Sequence, residues 1–262
     1  MLRARIIPTL LLENDRLVKT TSFSSPRYIG DPLNAVKIFN EMEADEIFVF
    51  DIGATPSGKA PDLTAIARLA EECRMPLCYG GGIASVDQAV MLISLGVEKI
   101  ALGDSALKRP ELITAIAHEV GSQSICAVLD VKTKSNRVDF EVMARRGTLP
   151  TGLEPVAYAK RLIDLGAGEV IFNCVDHDGA RSGYALDLAR RIADSIDTPF
   201  TMLGGAGSLS DIRDLLMQCG PIGAAAGSLF VYKGRQQAVL INYPTQTVRE
   251  QLALSAHSGI AE

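Results

Sequence analysis

Three glycine-rich segments, Gly80-Gly81-Gly82, Gly204-Gly205-Ala206-Gly207 and Ala226-Gly227-Ser228, each follow a short apolar run. The first two also precede an amphipathic stretch. Backbone N–H groups in such loops can approach an anion closely, and a helix N-terminus adds a favourable dipole. Gly81, Gly82, Gly204, Gly205, Ala226, Gly227 and Ser228 are therefore candidate phosphate-binding residues, with the plain tight turn as the competing reading. The first-half site is the weaker, because the next strand ends Gly103-Asp104-Ser105. A carboxylate at Asp104 repels a phosphate dianion unless a cation intervenes. Asp176 and Asp178 flank His177, but no other histidine is near in sequence, so turn and cap roles are expected and a metal site is not. His177 itself is a candidate general acid or base. Asp51 can orient Lys19 or a substrate, or simply cap a turn. His118 on a helix and His257 in the tail read as solvated.

The elements that must position these residues alternate. Strand-like runs cover Arg5–Leu12, Glu46–Ile52, Pro76–Gly80, Glu98–Leu102, Ser124–Val131, Glu169–Val175, Pro199–Leu203 and Ile222–Ala226. Helical patterns between them cover Asp31–Glu43, Pro61–Cys73, Ser85–Leu95, Pro110–Val120, Glu154–Leu165, Ala185–Ser195 and Ser208–Cys219. Asp31-Pro32 and Ser208 read as helix starts. Eight alternations imply an all-parallel sheet, and closure makes it a (β/α)8 TIM barrel. Pro76-Leu-Cys-Tyr-Gly-Gly-Gly82 reappears as Pro199-Phe-Thr-Met-Leu-Gly-Gly205, and Glu46-Ile-Phe-Val as Glu169-Val-Ile-Phe, both offset by 123 positions. One offset shared by separate motifs indicates two similar half-barrels. The 262 residues fit a single domain spanning 1–262, since barrels of this kind run to about 250 residues. Residues 245–262 form a peripheral tail with a helical pattern. Two connections, Glu13–Gly30 and Lys132–Gly152, leave the C-terminal ends of strands and read as lids; the first carries Lys19 to the barrel mouth.

Composition excludes several partners. A net charge of −5 argues against nucleic acid. The apolar runs Ile6–Leu12 and Ile222–Val231 are too short to span a membrane. The basic start Met1-Leu2-Arg3-Ala4-Arg5 leads straight into a strand and does not read as a signal peptide. Five scattered cysteines read as reduced and mostly buried in a cytoplasmic protein. No cofactor is called for.

A set of motifs resembles the cyclase subunit of imidazole glycerol phosphate synthase: Arg5-Ile-Ile, Gly30-Asp-Pro32, Asp51-Ile52, Gly80-Gly-Gly-Ile83, Gly121-Ser-Gln123, Asp130, Gly166-Ala-Gly-Glu169, Asp176-His-Asp-Gly-Ala-Arg-Ser-Gly-Tyr184 and Gly204-Gly-Ala-Gly207. The resemblance runs from Met1 to about residue 232. It implies a barrel that receives ammonia from a glutaminase docked at its N-terminal face and delivers it to a bisphosphorylated nucleotide at the other. It also implies that Asp130 is one of two acid–base aspartates, with Lys19 and Asp51 beside it, and that Asp178 and Gly179 join the phosphate loops. The other aspartate's position holds Leu11, and Gly103 and Asp104 stand where the family has asparagine and threonine. Leucine transfers no proton, so the loss should cost roughly 10²–10⁴-fold. Arg5, Glu46, Lys99 and Glu169 match the family's charged gate at the bottom of an ammonia channel. Glu98 matches its acidic contact to the glutaminase.

Asn34-Ala-Val-Lys-Ile-Phe-Asn-Glu41, Met75-Pro-Leu-Cys-Tyr-Gly80, Ala238-Val-Leu-Ile-Asn-Tyr-Pro244 and Leu10-Leu-Leu12 resemble a branch associated with surface polysaccharides. That likeness implies ammonia for an amidino group on a sugar, with a third, amidotransferase-like enzyme completing the modification. The competing expectations are a true cyclase (lyase) of histidine biosynthesis and a non-catalytic scaffold that activates the glutaminase.

Overall fold

The computed structural model describes residues 3–136, 138–234 and 236–258, of which residues 257 and 258 are described as backbone only. Eight strands form the barrel: β1 (Arg5–Glu13), β2 (Ile47–Asp51), β3 (Leu77–Gly80), β4 (Lys99–Leu102), β5 (Ile125–Thr133), β6 (Glu169–Cys174), β7 (Phe200–Leu203) and β8 (Gly223–Ala226). Each pairs in parallel with the next. Closure comes from β8 on β1, where Arg5 pairs with Gly223 and Pro8 with Ala226. The architecture is the (β/α)8 barrel that the alternation predicts. The two halves superpose in sequence, since Leu77–Gly80 and Phe200–Leu203 occupy β3 and β7 at the shared offset.

The strands form because their apolar, β-branched and aromatic residues are buried on both faces. Outward side chains such as Ile47, Val49, Val170 and Phe172 pack against the helices in the main core. Inward ones, Ile7, Phe48, Phe50, Cys78, Ala101, Cys126, Ile171, Leu203 and Ala225, form a second cluster inside the barrel. The helix starts are built as read. The Asp31 side chain accepts from Asn34 N–H ahead of Pro32, and Ser208 exchanges capping bonds with Asp211.

The two lid segments are not loops. Arg16–Thr21 and Ser24–Gly30 form an antiparallel ribbon that continues β1, with Leu11 opposite Val18. Phe140–Ala144 pairs likewise with β5, Asp130 lying opposite Met143. The turns between strands use left-handed backbone at Asn14, Asp15, Ser22 and Phe23. Positive φ at both central residues suits the twist of a two-residue hairpin. The tail forms a helix, Gln246–Ser258, with Leu252 and Ala256 buried and Arg249 donating to the Pro244 carbonyl at 3.0 Å. The side chain of His257 lies outside the described residues. No helix among the described residues is long and apolar enough to cross a membrane.

Candidate active site at the barrel mouth

The C-terminal ends of the strands surround a cavity of about 480 Å³. Its lining brings together Lys19, Asp51, Asp130, Gly81, Asp178, Gly179, Gly204, Gly205, Ala226, Gly227 and Ser228. Leu11 lines it too, so an apolar surface stands where β1 would otherwise present a carboxylate. Sequence-distant candidates thus share one site because all leave the same rim of a closed parallel sheet.

Asp130 ends the inward face of β5, directly across from Asn173 on β6. Asn173 Nδ2 donates to Asp130 Oδ1 at 3.1 Å. Burial pushes the Asp130 carboxyl up to about 7; Asn173 opposes the shift and nearby Asp104 and Asp178 reinforce it. A carboxyl poised there can give or take a proton at neutral pH. Lys19 is buried, and its Nζ donates to the Thr9 carbonyl at 2.9 Å. Burial lowers its pKa to about 8, against the pull of Asp178. Gly227 makes room for it: a Cβ at 227 would lie 1.8 Å from Lys19 Nζ. The Thr9 hydroxyl is buried beneath the mouth with no hydrogen-bond partner among the described residues.

Several expected roles change. Asp51 does not orient Lys19: its Oδ1 caps the following turn, accepting from Gly53 N–H at 2.9 Å and Ala54 N–H at 3.0 Å. Asp178 has little to offer a phosphate. Its N–H bonds the Val175 carbonyl, while Oδ2 accepts from Thr20 Oγ1 at 2.7 Å and Phe23 N–H at 3.1 Å. Asp178 instead clamps the first ribbon over the mouth. Gly82 stands outside the cavity lining, with its N–H directed to Thr55 Oγ1 at 3.3 Å. His177 also stands outside it, its Nδ1 2.7 Å from the Gly183 carbonyl. Asp176 accepts from Thr133 N–H at 2.8 Å, a structural use. Among the described residues no cluster of His, Cys, Asp or Glu is arranged to hold a metal. Gly205, at φ 107, could not carry a side chain, since a Cβ would lie 2.0 Å from the Gly183 carbonyl oxygen.

At the opposite end four charges close a ring. Arg5 reaches Glu46 at 2.5 Å and Glu169 at 2.7 Å; Lys99 reaches Glu46 at 2.8 Å and Glu169 at 2.9 Å. Both carboxylates are buried, and each is bridged by both cations. Burial works to raise the Glu169 carboxyl, but Arg5, Lys99 and Thr201 overcome it and hold it at about 2. Thr201 was not legible as a member: its hydroxyl donates to Glu169 Oε1 at 2.6 Å, and Gly223 leaves it space. The ring opens outward onto a second cavity of about 390 Å³ that includes Arg3, Gln123, Pro199 and Ile222. Glu98 is exposed beside it. Between floor and mouth the barrel interior is filled by the inward apolar cluster, with the Phe48 and Phe50 rings 5.6 Å apart. That interior is a packed layer in this structure, so anything crossing it needs side-chain motion.

Residues 5–237 match the family described as histidine biosynthesis protein. The chain belongs to this family. It is 52% identical over 252 residues to a putative imidazole glycerol phosphate synthase subunit HisF of Leptospira borgpetersenii, covering 96% of this chain and 99% of that one. It is 47% identical over 251 residues to a putative subunit hisF3 of Vibrio vulnificus, covering 96% of each. It is 37% identical over 232 residues to the HisF subunit of Alkaliphilus metalliredigens, covering 88% and 92%. The family's histidine-biosynthesis barrel is thus the frame in which Asp130, the mouth and the floor ring are set.

Proposed function

We propose that this chain is the ammonia-accepting synthase subunit of a two-protein enzyme, served by a glutaminase docked at the barrel floor. The closed Arg5–Glu46–Lys99–Glu169 ring carries this reading. Four charges that neutralise one another in a barrel floor form a barrier to ions, and a docking partner can part them. Arg5 and Lys99 are the partly exposed members, at 24% and 17%, so a partner has access to them. Glu98 contacts that partner. Neutral ammonia then crosses the apolar interior through motion of side chains such as Ile7, Phe48 and Ile171, and meets a phosphorylated acceptor at the mouth. Gly204, Gly205, Gly227 and Ser228 hold its phosphate. Asp130 exchanges the proton, with Lys19 as the neighbouring cation. Leu11 leaves that exchange one-sided, so the family's cyclase reaction should be slow.

The acceptor is a sugar of a surface polysaccharide, the product an amidino group, and a third amidotransferase-like enzyme completes it in the cytoplasm. The polysaccharide-like phrases at residues 34–41, 75–80 and 238–244 support that assignment. The test mixes the purified chain with a glutaminase of the same organism. A stable complex with stimulated glutamine hydrolysis, and no turnover of the histidine-pathway nucleotide, is expected. Failure to bind any glutaminase removes the proposal.

Three observations favour other readings. The relatives' names and the Asp130–Asn173 pair favour a cyclase (lyase) of histidine biosynthesis. Complementation of a cyclase-deficient histidine auxotroph would establish it. The packed interior favours a scaffold that only activates the glutaminase. Glu169→Ala separates that case: ammonia delivery unchanged by the substitution fits a scaffold and not a gate.

A further inference from the structure

Gly80 and Gly81 line the first-half wall of the mouth, but Gly82, the third glycine of that loop, does not. Gly82 is turned to Thr55, Gly103 has no side chain, and Asp104 is an acceptor. The wall carries instead Lys108, Arg145 and Arg146, all lining the same cavity. The two arginines form the turn after Phe140–Ala144, at φ 51 and φ 55. Left-handed backbone is costly for a residue with a β-carbon, so two in succession need outside support. Asp104 supplies it, its Oδ1 accepting from Arg145 N–H at 3.2 Å. Gly147 fixes the other side: it packs so closely that a Cβ there would lie 2.9 Å from Val175 Cγ1 and 3.3 Å from the Phe23 ring.

The carboxylate that the sequence reads as repelling an anion therefore faces the backbone of an arginine turn. Glu13 lies 3.6 Å from Arg146 and offsets part of its charge. Asp130 faces the same wall from β5. Glu13, Asp104 and Asp130 match Lys108, Arg145 and Arg146 in formal charge, but each carboxylate already has a partner, Arg146, the Arg145 N–H and Asn173 respectively, so the three cationic side chains are the donors this wall offers opposite the glycine loops of β7 and β8.

We propose that Lys108, Arg145 and Arg146 form an anion clamp for a phosphate or carboxylate of the acceptor, with Asp104 as the positioning residue that holds the arginine turn. A guanidinium fork matches either oxyanion in two parallel hydrogen bonds. The inference rests on the mouth being the substrate site, but not on the glutaminase.

The experiment is calorimetric titration of the isolated full chain with inorganic phosphate at low ionic strength, and in parallel with succinate. No partner protein is involved, so failure here is distinct from failure of the ammonia reading. Wild type should bind two phosphates. R145Q/R146Q should keep only the glycine-loop site. K108Q, on a separate element, should weaken the clamp about tenfold, the size expected for one charged hydrogen bond. Tighter binding by wild type than by R145Q/R146Q, for either oxyanion, supports the clamp, and the tighter oxyanion names the group it takes. Asp104 gives a test of sign. D104A should weaken the site about tenfold, while D104N, which keeps the accepting oxygen, should match wild type. Tighter binding by D104A would mean that Asp104 repels the ligand, and would overturn its positioning role. Unchanged binding of both anions in R145Q/R146Q, with its melting curve intact, would overturn the clamp.

Discussion

Asp130, the residue proposed to exchange the proton, is placed where its own proton is retained well above the ordinary carboxylate range. That has a thermodynamic signature. The unfolded chain releases this proton near pH 4, whereas the folded chain keeps it to about 7. Between those values the folded state binds more protons, so this group makes stability fall as pH rises. D130N should therefore raise the melting temperature at pH 8 and leave it unchanged near pH 4, by calorimetry. No gain at pH 8 would show that the carboxyl ionises without penalty. Asp130, Leu11 and the four floor charges could be picked out in the sequence because each sits within a recognisable strand phrase. Asn173, Thr201 and Thr9 could not. Asn173 and Thr201 matter through side-chain bonds to the neighbouring strand, Asn173 to Asp130 and Thr201 to Glu169, which depend on strand register, and Thr9 through its buried hydroxyl without a partner among the described residues. Asp51 takes the capping reading that the sequence offered beside the chemical one, whereas Asp178 is engaged by Thr20 and the Phe23 N–H on a ribbon far away in sequence, a contact that only the fold creates.

At the scale of elements, the alternation of runs was enough to place eight strands and their helices, since burial on both faces leaves continuous apolar stretches. The two ribbons were hidden. Their strands are short, and they turn without glycine at the central positions, at Asn14-Asp15 and Ser22-Phe23 in the first and at Arg145-Arg146 in the second. Asn-Asp is a weaker hairpin signal than a pair containing glycine. The first ribbon nevertheless sits firmly, because one side chain, Asp178, accepts from both Thr20 and Phe23. It buries Lys19 under itself and so creates that lysine's low pKa. D178A should release the ribbon at a cost of about 1–3 kcal/mol, the penalty for leaving partly buried partners unsatisfied. Hydrogen exchange at residues 16–30 should accelerate more than exchange in the barrel strands. Equal acceleration throughout would mean that the clamp supports the whole fold instead.

On the scale of the whole molecule, the half-barrel repeat puts Glu46 and Glu169 at equivalent places, so each half contributes one carboxylate to the floor. Arg5 and Lys99 each span both halves by bridging both carboxylates. The ring is therefore a cross-brace, and the barrier role proposed for it makes a different demand on stability. Glu169 is held at about 2, below its unfolded value. Its stabilisation is complete above about pH 4.5 and is lost as pH falls through about 2. Acid unfolding of wild type should show this loss, and E169Q should lack it. E169A should cost about 3–5 kcal/mol at pH 7, because it leaves two cations facing one carboxylate in a confined floor. If a glutaminase opens the ring, complex formation should recover part of that deficit in E169A, since a partner that parts the charges no longer benefits from their closure. A deficit identical in the free chain and in the complex would mean that the ring only braces the barrel and never opens.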